Sequence, residues 1–186
     1  MRYVWITFMS LALLLLGLIG WQHRQPDHQQ TSLAQASQPL PAHMVAYVIP
    51  RPSSRTDSII SFAMRQMGSP YTYAGTSPVS GFDCSGFVMY VYGHFGIETP
   101  HSTAQLIHAG RAVPRSQARK GDIVVFTGTA ATSTTPGHAG IVISEPGEPI
   151  RFVHASSARR DSGVKISEVS GTDYERRFLG VRRVIE

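Results

Sequence analysis

Apolar positions follow a helical period in one half of the chain and a strand period in the other. Between Asp57 and Met67 they fall at Ile59, Ile60, Ala63, Met64 and Met67, one face of a helix that Gly68 stops. Phe87, Val88, Val91 and Phe95 repeat the spacing, and Gly93 and Gly96 mark its far end. Ser102-Thr103-Ala104-Gln105 has the form of a capping box, and Gly110 supplies a stop, which predicts a short third helix. Beyond the turn Lys120-Gly121-Asp122 the pattern changes. Ile123–Phe126, His138–Ile143, Ile150–His154, Val164–Ile166 and Leu179–Val184 are short β-branched runs separated by Gly, Pro, Ser and Asp. Helices followed by an antiparallel meander predict an α+β fold with helices on one side of a sheet.

The N-terminal part reads differently. Tyr3 to Trp21 is an apolar run without charge. As a helix it would span about 28 Å at roughly 1.5 Å per residue, close to the hydrocarbon thickness of a bilayer. Arg2 and the α-amino group precede it, which favours an inside N-terminus and an exported remainder. Residues 1–21 are therefore a signal peptide or a membrane anchor. Ala34-Gln35-Ala36 has small-x-small form but lies far from the run. Residues 22–55 are rich in Gln, Pro and Ser and read as a flexible tether, with a short strand near Met44–Ile49. Residues 56–186 form the expected globular domain.

The formal net charge of +5 is modest and spread out. Arg159-Arg160, Arg176-Arg177 and Arg182-Arg183 are read as solvated basic surface, and nothing resembles a nucleic-acid motif. The chain has one cysteine, so no internal disulfide forms. An unpaired cysteine in an exported protein calls for a reason, because oxidising compartments pair or eliminate thiols.

That cysteine, Cys84, follows the turn residues Ser77-Pro78-Val79-Ser80-Gly81 and stands at the start of the second helix. Unpaired N–H groups there favour a thiolate, the reactive form. A small core residue is the competing reading, but Asp83 and Ser85 on either side suit a pocket floor better. Two histidines lie on the strands that follow. If residue 143 pairs with 149 across the turn Glu145–Pro149, His138 stands directly opposite His154 on one face. A slip of one residue would separate them. One imidazole then takes the thiol proton and the second orients the first. Tyr73 is read as a packing residue or as a donor into the pocket. His94, His101 and His108 are read as surface residues. The loop Gly128–Gly137 borders the site. A zinc site from Cys84, His138 and His154 lacks any short paired spacing, so no metal or cofactor is expected.

These segments also resemble a known family. Phe82-Asp83-Cys84-Ser85-Gly86-Phe87 is similar to the nucleophile motif of the NlpC/P60 cysteine peptidases. Lys120–Phe126 resembles the family's GD-hydrophobic strand. Gly137-His138-Ala139-Gly140-Ile141 resembles the segment of the base histidine, and Phe152–Ser157 the third catalytic position. Tyr71–Thr76 is similar to the YxYGG segment, with Ala74 where glycine is usual, and Arg177–Arg183 to the last strand. The resemblance implies a papain-like fold and hydrolysis of peptidoglycan stem peptides, often between D-glutamate and a diamino acid. It makes Cys84 the nucleophile, His138 the base and His154 the orienting residue. It implies that Asp83 and Ser85 bind a free amine and that Tyr73 lines the oxyanion site. The loop Gly128–Gly137 is longer than in many members. The expected place is the periplasm or cell envelope, on the inner membrane if the N-terminal segment is uncleaved. A non-catalytic wall-binding protein and a thiol acyltransferase are the alternatives on the same fold.

Overall fold

The computed structural model describes residues 54–186. The expected N-terminal apolar segment, the strand near Met44–Ile49 and nearly all of the tether lie outside the described residues. Helix α1 (Arg55–Met64) opens on Ser54, whose hydroxyl accepts from the Asp57 N–H. Strands β1 (Thr76–Ser77) and β2 (Gly81–Phe82) form a small hairpin before helix α2 (Cys84–Gly93). Helix α3 (Thr103–Leu106), β3 (Arg111–Val113) and a single 3₁₀ turn at Arg115–Gln117 follow. Then come β4 (Ile123–Thr127), β5 (Pro136–Val142), β6 (Arg151–Ser156), β7 (Gly163–Glu168), α4 (Asp173–Arg177) and β8 (Phe178–Arg183).

The large sheet runs β3-β8-β4-β5-β6-β7 and every neighbouring pair is antiparallel. The α+β arrangement expected from the two spacings is present. Helices α1 and α2 cover one face: Ile59, Phe62, Phe87, Val88, Val91 and Tyr92 pack on Ile123, Val125, Ala139, Ile141, Val153 and Ala155. The opposite face is buried as well. There Val124, Phe126, Val142, Phe152 and Val181 pack with Val113, Ile150, Val169 and Tyr174. Burial on both faces is why β4 reads as the unbroken apolar run Ile-Val-Val-Phe instead of alternating.

Three details depart from the sequence expectation. Helix α3 is one turn long and its cap residue Ser102 makes no side-chain capping bond. The Ala109 and Gly110 carbonyls accept from the Arg182 guanidinium, which draws the chain into β3. Arg159 and Arg160 are exposed as expected, but the other two arginine pairs are not simply solvated. Arg183 is buried and makes a two-pronged ion pair with buried Asp122, at 2.6 and 2.7 Å. Arg177 is buried too, and its Nε and Nη2 donate to the Thr127 carbonyl at 3.0 and 2.7 Å. Removing one member of such a buried pair leaves an uncompensated charge and costs about 3–5 kcal/mol. Helix α4 is too short to show a period, although Thr172 and Glu175 have capping-box form. The Thr172 hydroxyl accepts from the Tyr174 N–H and the Glu175 carboxylate from the Gly171 N–H.

Ala74 has φ of 56°, and among the described residues it is the one non-glycine with positive φ. A Cβ in this region clashes with the following carbonyl and costs about 1–2 kcal/mol. Glycine recovers part of that and loses part to chain entropy. Ala74→Gly is expected to raise stability by about 0.5–1 kcal/mol in urea unfolding, without a change in the slope.

Candidate active site

The start of α2 is held from several sides. The Asp83 N–H donates to the Gly75 carbonyl, which ties the helix to the loop before β1. Asp83 is the N-cap. Its Oδ1 accepts from the Gly86 N–H at 2.6 Å and from the Ser85 hydroxyl at 3.0 Å. Gly86 has to be glycine at this contact, because a Cβ would run into the Gly75 carbonyl. Cys84 thus sits in the first helical turn, almost buried.

Burial dominates the thiol's acidity and pushes its pKa up. The backbone N–H groups of Ala139, Ser85 and Cys84 pull it down, Asp83 pushes it up, and the net shift is upward. This corrects the expectation of a favoured thiolate. The helix start supplies donors, but the dry setting outweighs them. Burial thus favours the protonated sulfur.

His138 and His154 meet. His138 Nε2 lies 2.8 Å from His154 Nδ1, with ring centroids 4.8 Å apart at 88°. His154 Nε2 lies 2.9 Å from the Ser167 Oγ. The register differs from the expected one. Strand β5 pairs with β6 through Ile141↔Val153 and Val142↔Phe152, a shift of two residues caused by a longer hairpin loop. Inside that loop Ser144 Oγ accepts from the Arg151 N–H, and Glu148 N–H donates to the Glu145 carbonyl. An even shift keeps both histidines on one face. They are diagonal neighbours, not directly opposite.

Gly140 is the position between them. A Cβ there would sit 2.6 Å from Phe152 Cδ2 and 3.0 Å from His154 Cβ. The rings come together because that side chain is missing.

The shared face is not the one covered by α2. The ring neighbours of the pair are Phe126, Phe152 and Tyr174, all of the second core. The hydrogen-bonded pairs of β5 and β6 end at Ile141↔Val153. Beyond them the Cys84 thiol lies against the Ala139 N–H, one residue from His138. Among the described residues no hydrogen bond joins the thiol to His138, and such contacts commonly tighten only with substrate present. Burial is the main cause that holds both imidazoles neutral. It drives His138 well below its usual value, helped by His154, Arg177 and Lys165. It drives His154 down to about 3, helped by Lys165 and Arg177.

Cys84 lines a cleft of about 400 Å³ together with Tyr71, Asp83, Ser85, His101 and Gly137. Tyr73 is on its rim and 87% exposed, so it does not pack as one reading expected. Tyr71 is the tyrosine nearer the chemistry. Burial raises its pKa, with Cys84 and Asp83 adding to the rise. His101, read as a surface residue, places Nε2 3.1 and 3.0 Å from the two Asp83 oxygens. Its contact runs between segments distant in sequence, so no local pattern announces it. Of the long loop, Thr129 and Gly137 reach the clefts beside His138 and Cys84.

Residues 68–183 match the model of the NlpC/P60 family. The chain belongs to the NlpC/P60 family. It is 38% identical over 112 residues to the murein DD-endopeptidase/murein LD-carboxypeptidase MepS of Escherichia coli K12, covering 60% of this chain and 54% of that protein. It is 34% identical over 133 residues to the gamma-DL-glutamyl hydrolase of Bacillus subtilis 168, covering 71% of this chain and 30% of that protein. An NlpC/P60 family protein from Bacillus cereus ATCC 10987 superposes with a TM-score of 0.62 at 29% identity, covering 73% of this chain and 42% of the other. The chain spans between 26% and 54% of the length of these and other curated relatives. Against the NlpC/P60 pattern, the alanine at position 74 is the departure with a visible cost, the positive φ described above.

Gly140→Ala should separate the imidazoles. A methyl group forced into a packed site costs about 1–3 kcal/mol, and a shift of about 1 Å in a reacting group costs about a hundred-fold in rate. The expected result is a folded protein by circular dichroism whose rate in the reaction proposed below falls by about that factor. Unchanged activity would refute the spacing role of Gly140.

The buried neutral histidines also set an acid dependence. In the unfolded chain they titrate near 6.5, and in the folded protein His154 titrates near 3. Between those values the unfolded state binds more protons, so stability falls as pH falls from about 6.5 toward about 3. Melting temperature followed across that window should drop more steeply for the wild type than for His154→Gln.

Proposed function

We propose that this domain is a cysteine hydrolase of amide bonds in peptidoglycan stem peptides. Cys84 is the nucleophile, His138 the general base and His154 the residue that orients it. The observation that carries the reading is the 2.8 Å His138–His154 contact beside a thiol held at a helix start. Family membership and the hydrolase names of the relatives support it. The bonds at issue are the D-glutamate–diamino acid bond and the crosslink. The domain acts outside the inner membrane, a reading that rests on the apolar run Tyr3–Trp21.

The contacts suggest how the groups work. His138 Nε2 is engaged by His154, so Nδ1 is the nitrogen left to act as base. That requires Nε2–H to donate to His154 Nδ1, and His154 Nε2–H to donate to Ser167 Oγ. One chain of hydrogen bonds then holds the tautomer. A raised thiol pKa and a lowered imidazole pKa make the resting pair neutral. The proton therefore moves as the sulfur attacks the carbonyl carbon. The N–H groups of Cys84 and Ser85 at the helix start face the developing oxyanion. His138 returns the proton to the leaving amine, and the C–N bond breaks. Water, deprotonated by His138, cleaves the thioester. Asp83 and Ser85 line the Cys84 cleft with Tyr73 on its rim, and there a free amine of the substrate shares the Asp83 carboxylate with His101.

Digestion of purified muropeptides under reducing conditions, with products weighed by mass spectrometry, tests this reading. Cys84→Ala should lower the rate by at least about a thousand-fold. Wild-type protein that leaves every muropeptide intact would overturn the assignment. A product joined to an amine acceptor, with none hydrolysed, would make it a transferase.

A further inference from the structure

A second groove opens on the other side of His138. It has a volume of about 430 Å³, and His138, Ser156, Ser157, Lys165, Tyr174 and Arg177 are among its lining residues. It differs in charge from the cleft beside Cys84. That cleft carries the Asp83 carboxylate and no lysine or arginine. The groove beside His138 carries two cations and four hydroxyl groups, with Asp173 as its one acid.

Lys165 is placed there by the sheet. It pairs with His154 across β6 and β7, so the two side chains share a face. Its Nζ is 2.7 Å from Asp161 Oδ2. The lysine side chain is 23% exposed and the aspartate 73%, so the acid can give way to water while the cation stays in the groove. Arg177 is more committed. It donates to the Thr127 carbonyl and reaches Asp173 Oδ2 at 3.4 Å. Ser156 Oγ accepts from the Ala158 N–H at 3.2 Å and retains its own proton to donate.

The direction of the substrate follows from the chemistry. The base that takes the thiol proton gives it to the leaving amine, so that amine must lie at His138. Whatever is bonded to the leaving nitrogen continues from there into the groove.

We infer that this groove is the leaving-group subsite, that it takes a carboxylate on the carbon next to the leaving nitrogen, and that Lys165 is the residue that selects for it. The inference rests on the hydrolase reading for its direction and on the groove alone for its ligand. The favoured substrate is thus a peptide with an amine toward Asp83 and a free carboxylate on the residue released. A lysine ammonium meeting a carboxylate in a half-buried site forms a charge-assisted bond, and losing it changes affinity by about ten-fold.

Calorimetry on the Cys84→Ala protein measures binding apart from cleavage. The probes are L-alanyl-γ-D-glutamyl-L-lysine and its C-terminal amide, which differ in that one carboxylate. The free acid should bind about ten-fold tighter than the amide. Adding Lys165→Gln should bring the two together, and Lys165→Arg should keep them apart. Asp161→Asn removes the competitor for Lys165 and should widen the difference. If Lys165 served only its ion pair, Asp161→Asn would instead act like Lys165→Gln, and the inference would fail. It also fails if the acid binds no tighter than the amide, or if neither binds. Wild-type cleavage of the acid is scored separately. Binding preference without cleavage would keep the carboxylate site and sink the hydrolase reading, whereas cleavage without preference would do the reverse.

Discussion

Two imidazoles can meet along a diagonal of an antiparallel strand pair only when nothing stands between them. Here Gly140 leaves that space, and the second core walls it with Phe126, Phe152 and Tyr174. The wall keeps water off the rings and keeps them neutral. Ser167, itself bonded to Tyr174, continues the chain of polar contacts, so the buried histidines keep hydrogen-bond partners. The rest of the proposed chemistry depends on this packing, because a base is useful only with a free lone pair aimed in one direction.

The thiol meets the same two influences in opposite sense. Its helix start and the Ala139 N–H favour the anion, and burial favours the acid. Burial outweighs the N–H donors, so the neutral form is favoured for both proton carriers. A substrate carbonyl entering the cleft would change that balance by offering the thiolate something to attack. The sheet face matters as well. The histidines stand on the side of the sheet away from α2, and the Cys84 thiol lies against the Ala139 N–H, where the β5–β6 ladder has stopped.

Asp83 shows how one side chain can hold several groups at once. It caps α2, holds the Ser85 hydroxyl and receives His101. Its capping bond fixes the direction of the helix start and hence of the sulfur. The buried Asp122–Arg183 pair does comparable work at the far end of the sheet, joining β8 to the turn before β4. Two of the basic residues that look like surface charge in the chain are therefore internal braces, since a buried guanidinium with several acceptors is well satisfied.

Much was legible in the chain because it is local. Apolar spacing marked α1, α2 and the five long strands, and the single cysteine between Asp83 and Ser85 marked a helix start. The pairing of His138 with His154 was legible as a possibility, since both sit on neighbouring strands. Three things were not legible. The register of β5 on β6 depends on the hairpin loop's internal hydrogen bonds. The role of His101 depends on a contact across eighteen positions of chain. The face that the histidines occupy, and with it their neutrality, depends on α4 folding Tyr174 over them. Residue spacing determines which side chains can share an element. Which faces are dry, and which charges meet across elements, is decided only when the sheet closes, because desolvation and Coulomb attraction act through space and not along the backbone.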